Sequence, residues 1–138
     1  MAAGCAILLS AADLKTLSAE PDLVKRTRLA LTNGERAVTQ AGDACRAIDY
    51  EKCVALLTEI RQSVELAKLS LDKTDIVASR NPRHHKDAEI RTRTMLRHLE
   101  ALGSYVHPDD RTHYEAVRRR VSEINDQLLS AIMSKRKK

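Results

Sequence analysis

Between Tyr50 and Thr74 the chain reads YEKCVALLTEIRQSVELAKLSLDKT, and Cys53, Leu57, Ile60, Val64, Ala67, Leu71 and Thr74 recur at alternating spacings of four and three. That period belongs to a helix with one buried stripe, not to a strand, whose side chains alternate every second residue. Glu51, Lys52, Glu59, Arg61, Glu65, Lys68 and Asp72 fall between these positions and are expected on a solvated face. A lone helix has nothing to bury its stripe against, so the rest of the chain must supply partners.

Three other stretches read as those partners. Ser18 is expected to cap a helix with Pro21 in its first turn. Two seven-residue ladders then run side by side, Leu23–Ala30–Ala37–Ala44 and Val24–Leu31–Val38–Cys45, the seam of a helix in a bundle. Gly34 interrupts them at a cost of about 1 kcal/mol relative to alanine, which packing can offset. Residues 45–50 form the first reversal, where Asp49 can cap the next helix. After Thr74 the period fades, and Asn81-Pro82 marks a break because proline disfavours helix in the residue before it. A third helix is predicted from His84 to Val106, with the stripe Ala88, Thr92, Met95, Leu99, Leu102 and Val106. His107-Pro108-Asp109-Asp110 is the second reversal, and Tyr114, Val117, Val121, Ile124, Leu128 and Ala131 form the fourth stripe.

The only aromatic residues are Tyr50, Tyr105 and Tyr114, so the core must be aliphatic and small, as suits closely packed helices. Four glycines and three prolines are too few for the turns of an all-β fold. A shift of 64 residues lays Tyr50-Glu51 on Tyr114-Glu115 and carries Val24, Leu31, Val38 and Val64 onto Ala88, Met95, Leu102 and Leu128. The expected fold is therefore all-α: an up-down-up-down antiparallel four-helix bundle made of two αα-hairpins, forming a single domain over residues 13–138.

Residues 1–12 are apolar and uncharged, and Ser10-Ala11-Ala12 has the small-x-small form of a signal-peptidase site. A signal peptide would add a positive n-region and a longer apolar run, neither of which is present. Two readings stay open, a signal-peptide remnant with export to the periplasm or beyond, and an apolar segment on a cytoplasmic protein. No stretch reaches the ~20 apolar residues of a transmembrane helix.

Charge is placed unevenly. Residues 1–77 hold ten Lys/Arg against eleven Asp/Glu, whereas residues 78–138 hold fourteen against eight, together with all five histidines. Gly-rich phosphate loops, GxSxG, HExxH and paired CxxC are missing from the sequence, and no stripe carries the Glu-x-x-His pairs of a di-iron bundle. The sequence thus points to a non-enzymatic bundle serving as a protein-interaction or scaffold module, with a protein partner or self-association and no cofactor. An alternative is anion binding through the basic second hairpin, by Arg91, Arg93, Arg97, Arg118, Arg119 and Arg120. Nucleic acid is a less favoured partner because stacking aromatics are scarce and Arg118-Arg119-Arg120 spread around the helix. A second alternative is a metal site where the two reversals meet, from Cys45, Cys53, His107 and His113. Cys45 and Cys53 can instead pack as buried thiols or close a disulfide across the reversal. His85 and Glu89, four apart, would share a helical face.

Overall fold

The structure is a computed structural model that describes residues 14–134. Among these residues 83% are helical, strands are absent, and five helices pack together. They are α1 (residues 14–18), α2 (Leu23–Arg46), α3 (Tyr50–Asp72), α4 (Arg83–Leu102) and α5 (Arg111–Met133), with 3-10 turns at Gly103–Tyr105 and Pro108–Asp110 between α4 and α5. The apolar segment 1–12 and the basic end Lys135–Lys138 lie outside the described residues.

Helix boundaries follow local chemistry. The cap of α2 is Asp22 rather than the expected Ser18, and its carboxylate accepts from the Lys25 N–H at 3.1 Å. Ser18 instead closes α1 by donating to the Leu14 carbonyl. Asp49 caps α3 as expected, accepting from the Lys52 N–H. The third helix stops at Leu102, four residues short of the predicted Val106, because Gly103 begins a tighter turn. Between α2 and α3 the chain reverses in three residues, with Ile48 at φ 63°. The Asp49 N–H reaches the Ala44 carbonyl at 2.9 Å, a helix-end motif whose left-handed position is usually glycine.

The pairing of the helices can be read from side-chain contacts. Asn33 meets Ser63 while Cys45 meets Cys53, so α2 and α3 run in opposite directions, as do α4 and α5, where Asn125 meets Thr92 and Tyr114 meets Leu99. Arg91 of α4 reaches Thr32 and Glu35, and residues 98–102 border residues 38–46, so α2 and α4 lie side by side and parallel. Helices α3 and α5 do the same through Thr58–His113 and Glu65–Arg120. Helix α2 packs chiefly against α3 and α4, and α5 chiefly against α4 and α3. Side-chain contacts between the parallel neighbours span separations of 55, 56 and 59 residues, shorter than the 64 of the internal sequence shift, although the shift pair Val38 and Leu102 does border one recess.

The predicted stripes form one core, apart from Leu23, Val24, Thr74 and Ala131, which are half-buried at its edges. Leu31, Leu57, Ile60, Val64, Leu71, Met95, Leu99, Val117, Val121, Ile124 and Leu128 are all buried within it. Gly34 is a close-approach position: a Cβ there would sit 3.1 Å from the Met95 sulfur and 3.4 Å from Ser63. One sequence assignment is corrected. Glu59, expected on the solvated face, is buried at 7% exposure, because Asn33 and Arg36 of α2 cover its carboxylate. Leu66 leans on the core, and Leu69 is the exposed leucine of α3.

Candidate functional site

Burying a carboxylate requires partners, and each hairpin supplies a set. In the first, Glu59 accepts from Asn33 Nδ2 at 3.0 Å and pairs with Arg36. Asn33 also donates to Ser63 Oγ at 2.9 Å and accepts from Arg36 at 2.8 Å. In the second, Asn125 donates to the Glu89 carbonyl at 2.8 Å and to Thr92 Oγ1 at 2.9 Å, while Arg93 pairs with the Glu89 carboxylate. These side chains satisfy one another between helices, so their chemistry is spent on fixing register. Asn33, Ser63 and Asn125 were invisible to the stripe analysis; their signal was polar residues standing beside stripe positions.

At the reversal end, Cys45 and Cys53 are joined by a disulfide with a Cα–Cα distance of 5.3 Å. Both are buried, and a disulfide leaves no thiolate for a metal. His107 stacks edge-on against Tyr50 at 4.9 Å between ring centres, and its Nδ1 accepts from the Asp109 N–H. His113 Nε2 is hydrogen-bonded with Thr58 Oγ1 at 3.1 Å. The four residues therefore do not converge as a ligand set, and no group of three His, Cys, Asp or Glu side chains among the described residues does. His85 and Glu89 are both buried, but Glu89 is committed to Arg93 and Asn125, while His85 Nδ1 has no partner. Burial holds the His85 imidazole below its ordinary value; Lys68 and His84 act in the same direction and Asp72 opposes them.

The six arginines singled out in the second hairpin are dispersed. Arg91 faces α2, where it grips both carboxylate oxygens of Glu35 at 2.7 and 3.0 Å, and this hydrogen bonding raises its already high pKa. Arg120 faces α3 and bonds Glu65 at 3.0 Å, with the same effect on its pKa. Arg93 and Arg118 pair along their own helices with Glu89 and Glu115. Arg97 borders a recess with Arg93 and Glu100, and Arg119 is exposed on α5. Four of the six are thus neutralised inside the molecule, and the six point to different faces.

A cationic cluster stands elsewhere. Where α4 begins beside the first turns of α2, Arg28, Arg83, His84 and Lys86 line one recess of about 500 Å³ with Asp87 and Ile90. Asp87 leans toward Arg91, 3.5 Å away. Among the described residues, none of the Arg28, Arg83 and Lys86 side chains enters an ion pair. Helix α4 starts there with Pro82 as its cap and no side chain accepting from its first N–H groups, so its positive dipole end adds to the same field. This set is not legible in the sequence because Arg28 lies some 55 residues away from the others, and only the parallel pairing of α2 and α4 brings them together. No protein-family model, curated protein or solved structure matches the chain.

Proposed function

We propose that this chain is a non-enzymatic, up-down-up-down four-helix bundle of two αα-hairpins that works as an interaction module, capturing an anionic partner at the recess between the starts of α2 and α4. The observation that carries this reading is the convergence of Arg28, Arg83, His84 and Lys86 on one recess without internal ion pairs, while Arg91, Arg93, Arg118 and Arg120 are already matched by carboxylates. Unpaired cations held close together repel one another, and an incoming anion relieves that repulsion. The Cys45–Cys53 disulfide supports placing the module in an oxidising compartment, in keeping with export.

The test is retention of the full chain on immobilised heparin, eluted with salt. Reversing two recess charges (R28E/K86E) is expected to bring elution to much lower salt than reversing two charges on α5 (R118E/R119E). Both variants change net charge equally, so equal shifts would mean that total charge alone governs binding, and the recess reading would fail.

A further inference from the structure

The directions of the helices gather unlike features at one end of the molecule. Helices α2 and α4 begin, and α3 and α5 finish, at what is here called the base: Arg28 borders Arg83 and Lys86, Asp72 of α3 acts on His85, and Asn125 of α5 pairs with residues 89–92. The opposite end holds both reversals.

Four of the large exposed apolar side chains stand toward the base, whereas Ile48 and Tyr105 stand at the reversals. Met133 is 71% exposed at the last turn of α5 and Leu129 stands one turn earlier. Leu69 is 52% exposed in the last turn of α3, and Val77 is 50% exposed in the connection to α4. Cations stand among them: besides the recess, Lys73 and Arg80 are exposed in that same connection, alongside the exposed Asp72 and Asp75. At the reversal end the exposed carboxylates Asp43, Asp49, Glu51 and Asp109 outnumber the exposed Arg46 and Arg111. The chain beyond the described residues continues this character in its sequence, for α5 gives way at Ser134 to Lys135-Arg136-Lys137-Lys138, and the apolar residues 1–12 precede the short helix leading into α2.

We infer that the base docks on an anionic lipid bilayer surface; this rests on the cationic recess being the working site and names its partner. Scattered apolar side chains interleaved with cations suit the headgroup layer, where the apolar tips enter the interface and the cations meet lipid phosphates. A nucleic-acid backbone offers nothing to Leu69, Val77, Leu129 or Met133. Tyr105, the exposed tyrosine that would serve base stacking, stands at the opposite end. The acidic reversal end points away from the lipid, so the molecule's own charge separation orients it. No helix among the described residues is long and apolar enough to cross a membrane, so the contact is peripheral.

The experiment is sedimentation of the full chain with vesicles of phosphatidylcholine, alone or with about a third phosphatidylserine. Binding is expected to the mixed vesicles only, and to weaken as salt is raised. R83E/K86E should weaken it more than tenfold, since each basic residue near such a surface contributes about a factor of five. L129S/M133S should weaken it several-fold while leaving heparin retention intact, and Y105S at the far end should change neither. Circular dichroism melts verify that each variant is folded. Unchanged vesicle binding by L129S/M133S, or heparin retention without vesicle binding, would overturn the lipid assignment and leave the anion-capture reading standing. Indifference of both heparin and vesicle binding to charge reversal in the recess would overturn both.

Discussion

Gly103 is the position where the smallest substitution should do the most damage. Its backbone, at φ −57° and ψ −34°, is ordinary helix, so alanine meets no torsional objection. The objection is spatial: a Cβ would lie 2.5 Å from the Tyr114 hydroxyl oxygen, 2.8 Å from Cζ and 3.2 Å from Cε2. Tyr114 cannot simply swing aside. It is 3% exposed, its hydroxyl donates to the Leu99 carbonyl at 2.7 Å, and the Arg111 guanidinium lies over its ring. The Leu99 carbonyl depends on that bond, because the Gly103 N–H that would close the last α-helical turn goes to Glu100 instead. Overpacking of this kind costs about 1–3 kcal/mol, and orphaning the buried carbonyl costs about 1–3 kcal/mol more if the ring is displaced. We expect Gly103→Ala to destabilise by about 2–4 kcal/mol, a fall in Tm on the order of 10 °C for a domain of this size. Tyr114→Phe alone should cost about 1–2 kcal/mol through the lost hydrogen bond. In the alanine background it should cost less than half of that, since it removes the nearest clash but leaves Cζ in place. Urea denaturation of the four proteins in this cycle measures the coupling. Gly103→Ala as stable as the parent, or an identical cost of Tyr114→Phe in both backgrounds, would refute the reasoning.

Three other outcomes follow from the same structure. Ile48→Gly should stabilise by about 1 kcal/mol, because a branched residue at φ 63° gives up a left-handed penalty and, being 70% exposed, little packing; a lower urea midpoint would contradict this. Replacing both cysteines (Cys45→Ala/Cys53→Ala) should cost about 2.5 kcal/mol for the lost closure of a short loop, read by denaturation against the oxidised parent. For His85, the unfolded chain binds a proton near 6.5 while the buried imidazole resists it. Its stabilising effect is thus complete above that pH and is lost as pH falls toward the depressed folded value. The urea midpoint of His85→Met should accordingly fall less than that of the parent over this acidic window, and parallel curves would show that His85 is not the group responsible.

Periodicity revealed the helices because burial in this chain is dominated by aliphatic stripes: every residue of the Ala88–Val106 stripe is buried, and so is every residue of the Tyr114–Ala131 stripe except the half-buried Ala131. It failed at Glu59, and is silent on the burial of Glu89, for a definite reason. A stripe analysis assigns charge to the surface, whereas a carboxylate is tolerated inside when another helix brings an amide and a guanidinium to it, and that pairing is a property of two segments at once. Asn33 and Glu59 are 26 residues apart, Asn125 and Glu89 are 36 apart, and neither spacing carries a signal within one helix. The same limit governs the candidate site. Local density in sequence drew notice to Arg118-Arg119-Arg120, yet consecutive helical residues diverge by about 100° each, so density along the chain disperses charge in space. Arg28 and Lys86, far apart in sequence, share a recess because α2 and α4 run side by side in the same direction. In a helical bundle, then, charge capable of acting together is to be sought at equal heights on neighbouring helices rather than in runs along one of them.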